Sequence, residues 1–454
     1  MAEPELLVIG GGLAGIAAAL RCADHGKRVT LVEGRPRLGG AAFSFSRGPL
    51  TIDNGQHVFL RCCTAYQWLV GRLDVTAKTV LQPHLDIPVL RADGRSARLQ
   101  RTPGVPAPAH LTAALARYAL LSPLDRAKAV RGALALKLLN PTDPRLDERT
   151  LGEYLRRHGQ TPAIIEGLWG IVATATLNLR PDDASLALAA KVFRTGLLDH
   201  APAADVGYAA APLGELHSVA ARRALESSGV EILLGHRVES VKAGGEVVLR
   251  HRGEHHSLWP EGVILAVPPR EAFAAVPELA DTPASRAREL RTSPIVNVHV
   301  IYDRQVTDLP FAAAVDSPVQ WFFDRTRASR LPDVRPGGQY LAVTVSAADA
   351  IVDTPSVAIR EEYVAELARL LPRARTAEVV EAFVTRERHA TFRQAAGTRA
   401  LRPGPNDGPD GVWLAGAWTA TGWPDTMESA VRSGVRAAEA ALRVAPTGMM
   451  DFET

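Results

Sequence analysis

A glycine-rich turn between an apolar run and an alanine-rich stretch constrains the fold of this 454-residue chain more than any other feature. Residues 6–9 are apolar, and Gly10, Gly12 and Gly15 follow them in the spacing Gly-x-Gly-x-x-Gly. The alanine-rich stretch after the turn has the composition of a helix, and a second β-type run then ends at Glu33. This order predicts a βαβ unit, in which a strand, a tight turn and a helix lead to a second, parallel strand.

Each glycine of this turn has a separate role in a dinucleotide site. The first permits the tight turn, the second lets the backbone approach a pyrophosphate, and the third allows the helix to pack closely on the strand. Glu33 follows the third glycine by 18 residues and is placed to accept hydrogen bonds from the adenosine ribose. Such a motif alone can be an ordinary turn, but its position between a strand and a helix favours dinucleotide binding.

Composition and charge exclude several classes of protein. The formal charge is +3, from 52 Lys and Arg against 49 Asp and Glu, which is far from a nucleic-acid-binding footprint. An odd number of cysteines, Cys22, Cys62 and Cys63, argues against a disulfide framework and for a reducing compartment. The longest uncharged runs, such as that at 6–20, have 15 residues, whereas a membrane-spanning helix needs about 20. The N-terminus lacks a signal-peptide pattern, so we expect a cytoplasmic protein.

The distribution of strand and helix patterns predicts two domains, each assembled from separated segments. Short β runs between 230 and 250, an apolar strand at 262–267 and a strand at 412–415 extend the nucleotide fold along the chain. We therefore predict an α/β fold in which a Rossmann-like nucleotide-binding domain accompanies an α+β substrate domain with a mostly helical portion at 105–204. The predicted segments are 1–75, 205–270 and 405–454 for the first domain, and 76–204 and 271–404 for the second.

The segment after the βαβ unit indicates which dinucleotide is bound. Arg35 and Arg37 precede the pair Gly39 and Gly40, and guanidinium groups beside a closely approaching backbone suit a pyrophosphate. The sequence EGRPRLGG resembles a motif of the flavin amine oxidase and phytoene desaturase superfamily, in which it accompanies FAD. Another arginine often follows this motif in the superfamily, whereas the present chain has Ala41.

The C-terminal stretch VWLAGAWTATGWPDTMESAVRSG resembles the second FAD motif of the same superfamily, a strand and a helix whose first turn faces the flavin. Backbone N–H groups near Thr426 and Met427 are donors that suit the electron-rich pyrimidine edge of the isoalloxazine. The superfamily usually has Asp after Leu-Ala-Gly to hold the ribityl chain, and this chain has Ala417. The resemblance also implies a backbone contact between Val238, in HRVESV, and the adenine.

The segment DNGQHVFLRCCTAYQWLVGRL at 53–73 indicates one family within this superfamily. It is similar to the hydroxysqualene dehydroxylases, also called squalene-associated FAD-dependent desaturases, as are GLWGIVATATLNLRPDDASLALAAKVF and GWPDTMESAVRSG. The resemblance spans nearly the whole chain. It implies an FAD-dependent oxidoreductase that reductively removes the hydroxyl of hydroxysqualene to give squalene, on the route to hopanoids or related triterpenes.

That activity implies a long apolar isoprenoid substrate and a flavin that arrives reduced. The allylic hydroxyl would be protonated, water would leave with allylic-cation character, and hydride would pass from flavin N5 to the carbon. The chain has one dinucleotide fingerprint, so NAD(P)H binds transiently or a reductase supplies the electrons. The alternatives are a carotenoid-type desaturase or a flavin amine oxidase, and, from another class, a non-catalytic FAD-binding scaffold. In the amine oxidases of this superfamily, aromatic residues form a cage beside the flavin. Amine oxidation would require a second aromatic residue of this cage and a lysine near N5, and the sequence identifies neither.

The candidate catalytic residues are His57, Asp53 and Trp423. A histidine near a flavin can donate a proton, although one after a glycine turn more often bonds to backbone. Asp53 is a buried acid or, more commonly at such a position, a turn former. Trp423 occupies the place of one cage tyrosine of the amine oxidases. No metal ligand is predicted, and the predicted cofactor-binding residues are Gly10, Gly12, Leu13, Ala14, Gly15, Glu33, Gly34, Arg35, Arg37, Gly39, Gly40, Ala41, Gly55, Gln56, His57, Val238, Gly416, Ala417, Trp423, Thr426 and Met427.

Two further sets of residues leave alternatives open. One is aromatic and forms either an apolar slot or ordinary core. The other recurs at helical spacing between 109 and 139 with basic residues beside it, and is either a pair of packed helices or a basic amphipathic surface on anionic lipid at the inner face of the membrane. The aromatic set is Trp169, Trp321, Phe322, Phe323, Trp418 and Trp423, and the helical set is Leu111, Leu115, Tyr118, Val130, Leu134 and Leu138, with Arg126, Lys128, Arg131 and Lys137.

Overall fold

The computed structural model describes residues 3–242 and 245–445, and its centre is a five-stranded parallel sheet. The strand before the glycine turn is the middle strand, and the other strands of the sheet come from the N-terminal, middle and C-terminal parts of the chain. The predicted Rossmann-like architecture, assembled from discontinuous segments, is therefore confirmed. The strand order is Glu231–Leu234, Val29–Glu33, Leu6–Ile9, Gly262–Leu265 and Val412–Leu414.

Helices cover this sheet, which is why its strands are apolar on both faces. Along the middle strand Val8 packs in one hydrophobic cluster, with helix Leu13–Asp24, while its neighbours Leu7 and Ile9 pack in another cluster on the opposite face. A Cβ atom on Gly15 would lie 1.8 Å from the Gly10 carbonyl oxygen, so only glycine allows the helix to pack this close to the turn.

A seven-stranded mixed sheet forms the second part of the molecule. It takes strands from both predicted segments of the substrate domain, and the apolar runs PIVNVHVIYD and QYLAVTVS lie side by side in it. Its order is Val379–Phe392, Thr292–Tyr302, Gln339–Val345, Trp321–Asp324, Phe311–Val315, Asp86–Arg91 and Ser96–Gln100. The domain boundaries themselves stay predictions, and residues 1–2 and 446–454 of the predicted nucleotide-binding domain lie outside the described residues.

The stretch at 105–204 is mostly helical, as predicted. Its helices are separated by short turns and by two π-helical segments, Ile165–Trp169 and Arg194–Leu198. Within the described residues, no helix is both long and apolar enough to cross a membrane. The α-helices of this stretch are Thr112–Ala116, Pro123–Lys137, Leu151–Arg157, Pro162–Ile164, Gly170–Leu177 and Leu186–Phe193.

Smaller elements connect the two sheets and place the turn at 53–57 between them. A hairpin of Ser44–Arg47 and Leu50–Asp53 leads into the turn, and strand Val58–Leu60 leaves it. Strand Val58–Leu60 forms a three-stranded sheet with Val206–Ala209 and Thr79–Leu81. A separate antiparallel meander consists of Arg237–Val241, Val247–His251 and Glu254–Leu258. The remaining α-helices are Thr64–Arg72, Ala221–Ser227, Pro269–Ala275, Leu331–Val334, Ser356–Leu370 and Met427–Leu442.

Candidate functional site

The glycine turn forms an open cradle at the start of the first helix. No side chain caps helix Leu13–Asp24 at Gly12, so the N–H groups of Leu13 and Ala14 face outward without an intrahelical acceptor. Among the described residues, a Cβ atom on Gly12 would meet only the Cα of Gly40, at 3.7 Å. A pyrophosphate is the kind of group that fits this space, because it accepts hydrogen bonds from exposed N–H groups at a helix N-terminus.

Glu33 is fixed beside the cradle. Its carboxylate accepts hydrogen bonds from the N–H groups of Gly11 at 2.7 Å and Arg35 at 2.8 Å. Each carboxylate oxygen has a further lone pair, so Glu33 can still accept from a ribose hydroxyl. The backbone of Glu33 also receives the N–H of His236 at 3.1 Å, which joins the ribose position to the strand that carries Val238. The register of that strand is irregular between Val238 and Ser240, where its backbone is not fully paired.

The two predicted arginines converge on the same cradle. Arg35 and Arg37 each donate a hydrogen bond to the carbonyl of Gly40, at 3.3 and 3.1 Å. Arg37 also stacks on the ring of Phe43 at 3.6 Å, and burial lowers the pKa of its guanidinium. Ala41 is exposed, and its carbonyl accepts from the side chain of Asn54. Two cationic groups therefore border the pyrophosphate cradle.

Asp53 anchors the turn at 53–57. Its buried carboxylate pairs with Arg325 at 2.7 Å and accepts hydrogen bonds from Ser44 Oγ at 2.6 Å and the N–H of Leu213 at 2.9 Å. Arg325 is itself buried and donates to the carbonyl of Ala209. Both carboxylate oxygens of Asp53 are therefore engaged by partners within the protein. The geometry therefore favours the structural alternative for Asp53 over the catalytic one.

A buried asparagine pair, which the sequence reasoning missed, holds the next residues of the turn. Asn297 donates to the carbonyl of Asn54 at 3.0 Å and accepts from Thr344 Oγ1 at 2.9 Å. A Cβ atom on Gly55 would lie 3.6 Å from Asn297 Nδ2. The available signal was a lone amide in the apolar run PIVNVHVIYD, because a buried polar side chain requires a partner.

His57 lies beside this turn in a desolvated position. Burial lowers its pKa to about 4, Asp53 opposes the shift, and Arg325 adds to it. The imidazole is therefore neutral near pH 7 and donates a hydrogen bond from one ring nitrogen only. The role of His57 stays a prediction, but this pKa does not suit an imidazolium that protonates a hydroxyl at neutral pH.

A small cavity, with room for about one water molecule, opens next to His57. The side-chain nitrogen of Gln56 is buried there and has no hydrogen-bond partner among the described residues. Two aromatic residues, Tyr208 and Phe323, face the same space. The cavity thus combines polar donors with aromatic surface.

The six aromatic residues of the predicted slot do not line one space. Trp321 and Phe323 stack at 6.2 Å beside the cavity, whereas Phe322 belongs to the core on the other face of the sheet. Trp169 packs on Phe193 in the helical portion, and Trp418 donates its indole N–H to the carbonyl of Val267. Trp169, Phe322 and Trp418 are buried among core side chains in this structure, and the slot stays a prediction.

Arg402 organises the C-terminal loop. Its buried guanidinium donates to the carbonyls of Trp423 at 2.8 Å and Ala417 at 2.9 Å, and to Thr421 Oγ1 at 3.2 Å. Burial lowers its pKa to about 10. At the start of the loop, the N–H of Gly416 donates to Ser433 Oγ at 2.8 Å. Arg402 therefore fixes the backbone around Trp423.

Trp423 lies between two cationic side chains. Lys191 Nζ is 4.6 Å from the centre of its ring, and the guanidinium carbon of Arg432 is 4.9 Å away. The sequence reasoning identified no lysine near this aromatic position, yet the structure brings Lys191 to it from helix Leu186–Phe193. The available signal was that Lys191 lies inside GLWGIVATATLNLRPDDASLALAAKVF, one of the segments that carry the resemblance.

Two acidic residues at the start of the last helix do more than complement its dipole. Asp425 accepts from the N–H of Phe392 at 2.7 Å, and desolvation raises its pKa to about 6 against that hydrogen bond and the charge of Arg402. Glu428 accepts from the N–H groups of Ala65 and Tyr66 and so caps helix Thr64–Arg72. It also pairs with a buried arginine, Arg432, at 2.6 Å.

The predicted flavin-facing donors are available at this helix start. Thr426 is the N-cap residue, and its Oγ1 accepts from the N–H of Ser429 at 3.3 Å. The N–H of Met427, in the first position of the helix, has no acceptor within the helix. This arrangement fits the electron-rich edge of a flavin.

The chain matches the flavin containing amine oxidoreductase family over residues 13–442. Hydroxysqualene dehydroxylase of Sinorhizobium fredii is 30% identical to it over 96% of this chain and 97% of that protein, and the same enzyme of Rhodopseudomonas palustris is 29% identical over 96% and 97%. A solved structure of putrescine oxidase has a TM-score of 0.70 at 18% identity, covering 97% of this chain and 99% of that one, which shows a shared fold. The predicted resemblance is therefore confirmed.

Proposed function

The chain belongs to the flavin containing amine oxidoreductase family and is an FAD-dependent oxidoreductase, and from that premise we propose that it reductively dehydroxylates hydroxysqualene to squalene. The observation that carries the proposal is the similarity to hydroxysqualene dehydroxylases along almost the full length of both chains. Such a reaction serves the formation of hopanoids or related triterpenes. It consumes electrons, for which we propose NAD(P)H or a reductase as the source.

The residues of the site divide into those that hold FAD and those that meet the substrate. The glycine cradle with Arg35 and Arg37 suits the pyrophosphate, Glu33 suits the ribose, and Met427 suits the flavin edge. When bound in its reduced form, FAD supplies the two electrons that the reaction consumes. On the substrate side, a neutral His57 holds a proton at one ring nitrogen, and the faces of Trp321 and Phe323 stabilise positive charge on an allylic carbon and exclude water.

Anaerobic turnover tests this proposal directly. The purified protein with photoreduced FAD is incubated with hydroxysqualene, and the products are identified by mass spectrometry. We expect squalene in one equivalent per reduced flavin, with reoxidation of the flavin. Dehydrogenated products from the oxidised protein would favour a desaturase instead, and bound FAD with no conversion of any isoprenoid would favour the scaffold.

The cradle assignment is tested by replacing Gly12 with Val. The new side chain fills the space in front of the helix N-terminus, so we expect the folded variant to lose FAD by at least about tenfold in affinity. Gly71→Val is the matched control, because a Cβ atom at Gly71 meets nothing within 4 Å. Flavin absorbance per protein is the measurement, and stoichiometric FAD in folded Gly12→Val would contradict the assignment.

An exposed apolar helix face supports a further part of the proposal, peripheral binding at the inner face of the membrane. Of the predicted helical residues, Leu111, Leu115 and Tyr118 pack inward, and the buried Tyr118 donates its hydroxyl to the carbonyl of Gly167. Val130, Leu134 and Leu138, which lie on helix Pro123–Lys137 and at its C-terminal end, are exposed together with Leu124. The exposed fractions are 65% for Leu124, 43% for Val130, 51% for Leu134 and 85% for Leu138.

We propose an anionic lipid surface as the occupant of this face, since the proposed C30 substrate resides in a bilayer. Arg131 lies exposed beside the apolar residues and attracts anionic headgroups. The other predicted basic residues contribute less. Arg126 donates to the carbonyls of Leu121 and Ala116, and Lys137 donates to the carbonyl of Leu198, so both are engaged within the protein.

Sedimentation with anionic vesicles tests the lipid surface. We expect Leu134→Asp with Leu138→Asp to reduce binding at least about tenfold, because insertion of apolar area is lost and like charge is added. Val334→Asp with Val357→Asp is the matched control, since both valines are about equally exposed on other helices. Equal binding of both double variants would contradict the assignment of this face.

A further inference from the structure

We propose that the cavity beside His57 is the subsite that receives the substrate hydroxyl, and that Gln56 and Tyr208 recognise it by donating hydrogen bonds. This inference rests on the proposed dehydroxylation and assigns residues to its substrate specificity. It also gives Gln56 a different ligand from the one that the sequence predicted, because the side chain binds substrate rather than cofactor.

The size of the cavity supports a small ligand group. The cavity has room for a group of about the size of one water molecule. A three-ring isoalloxazine does not fit such a space. A hydroxyl group at the end of a positioned hydrocarbon does fit, so the cavity suits the reacting part of an alcohol.

Two polar groups of the cavity, on Gln56 and Tyr208, are donors without an acceptor among the described residues. Gln56 Nε2 is buried without a hydrogen-bond partner among the described residues, which leaves a desolvated amide that a ligand oxygen can satisfy. The hydroxyl of Tyr208 likewise has no partner in the part of the chain that the structure describes. An alcohol oxygen has two lone pairs and can accept from both groups.

The charge balance of the cavity favours a neutral ligand. Arg325 lies in its wall, but the guanidinium is neutralised by Asp53 at 2.7 Å. Desolvation keeps His57 neutral by lowering its pKa, and it raises the pKa of Tyr208 and so keeps the phenol protonated. A carboxylate or phosphate finds no uncompensated cation here, whereas an alcohol needs none.

An aromatic surface continues from the same cavity. Tyr208 contacts Phe311 at 5.8 Å, and Phe323 lies 5.8 Å from Phe311 and stacks on Trp321. These rings place an electron-rich wall beside the carbon that bears the hydroxyl, where positive charge develops when the C–O bond breaks. The donors and the rings thus match the two chemical features of an allylic alcohol.

The Gln56 and Tyr208 donors can pair with the alcohol substrate but not with the hydrocarbon product, so they also distinguish substrate from product. Squalene lacks the hydroxyl, so its binding leaves Gln56 Nε2 and the Tyr208 hydroxyl unpaired. We therefore expect the alcohol to bind about tenfold more tightly than the hydrocarbon, which corresponds to the loss of about one hydrogen bond. The released product does not compete strongly with new substrate.

Ligand titration of the oxidised holoenzyme tests this without turnover. Hydroxysqualene and squalene are each titrated in detergent micelles, and dissociation constants are read from the change in flavin absorbance. In wild-type protein we expect the tenfold preference for the alcohol. In Gln56→Leu we expect the alcohol to bind about tenfold more weakly while squalene affinity is unchanged, and Tyr208→Phe should lower the preference in the same sense.

Two controls make the result decisive. Gln100→Leu changes an exposed glutamine and should keep the full preference, whereas Gln56→Asn, which retains an amide, should restore part of what Gln56→Leu loses. An unchanged preference in both Gln56→Leu and Tyr208→Phe overturns the subsite even when wild-type protein converts hydroxysqualene. If wild-type protein does not convert it, the proposed function fails on separate grounds, and the subsite fails with it.

Discussion

Two buried arginines hold the two sides of the proposed flavin site, and their charges are compensated differently. Arg325 fixes the turn at 53–57 and pairs with the carboxylate of Asp53 at 2.7 Å. Arg402 fixes the C-terminal loop through carbonyl and hydroxyl oxygens, and the described residues provide no ion pair for it. The charge of Arg325 is neutralised by direct contact. The charge of Arg402 is balanced through space by Asp425 and Asp147, and burial lowers its pKa to about 10.

Both arginines hold a segment of backbone in place, but they differ in the electrostatic potential that a nearby ligand experiences. An ion pair such as Asp53 with Arg325 produces little field outside itself, so the turn presents neutral groups to a ligand. The positive charge of Arg402 stabilises negative charge nearby, and the last helix adds its N-terminal dipole on the same side. An electron-rich cofactor edge is therefore favoured at the loop, and a neutral substrate group at the turn.

The largest effect is expected from Arg325→Met, which leaves the Asp53 carboxylate buried without its partner. We expect the free energy of unfolding to fall by about 3–5 kcal/mol, because an uncompensated buried charge is costly. Urea denaturation of the holoprotein measures this change. Adding Asp53→Asn to Arg325→Met should recover a large part of the loss, and a double variant as unstable as the single one would show that the pair is not what stabilises the turn.

A smaller loss of stability but a clear loss of cofactor is expected from Arg402→Met. The change leaves carbonyl groups unpaired and removes the positive charge near Asp425, so we expect the free energy of unfolding to fall by about 1–3 kcal/mol. Because the loop around Trp423 loses its anchor, bound FAD should dissociate at least about tenfold faster. Flavin fluorescence on dilution measures this rate. If Arg325→Met and Arg402→Met shed FAD equally, the division of roles between the two arginines is wrong.

The smallest effect is expected in how the free energy of unfolding changes with pH. The change should have opposite signs for the loop side and the turn side of the site. Asp425, on the loop side, has a folded pKa raised to about 6, so its contribution to stability is present at low pH and is lost as the pH rises through 6. His57, on the turn side, has a folded pKa lowered to about 4, so folding is progressively disfavoured as the pH falls from about 6.5 toward 4.

Thermal unfolding of two variants between pH 4 and pH 8 measures these opposite slopes. Relative to wild type, His57→Gln should gain stability as the pH falls and Asp425→Asn as the pH rises, each by on the order of 1 kcal/mol. Parallel curves for wild type and either variant would show that the substituted group does not titrate in this range.

The βαβ unit and the C-terminal strand and helix were predictable because their signals are local. Apolar runs, a glycine turn and a helix start lie within a few residues of one another, and burial follows from composition. The strand Val379–Phe392 was missed, since much of it is half-exposed and rich in charge. Its side chains do not alternate between apolar and polar in the way that predicts a strand.

The residues that complete the site were missed for a different reason. Arg325 reaches Asp53 across 272 positions of the sequence, and Asn297 reaches Asn54 across 243. Lys191, Tyr208 and Arg402 are also placed by tertiary packing, and no spacing rule connects them to the flavin motifs. A single sequence locates the segments that surround a cofactor but not the distant side chains that hold those segments in place.

The strand order of the parallel sheet sets the time at which the site forms during synthesis of the chain. Strand Gly262–Leu265 has an open edge until Val412–Leu414 is made, and Glu428 is required to cap a helix that left the ribosome 363 residues earlier. Most of the chain therefore emerges as an unfinished sheet with no complete pocket for FAD. We therefore expect FAD to bind only after helix Met427–Leu442 has emerged, and the exposed strand edge to need protection until then.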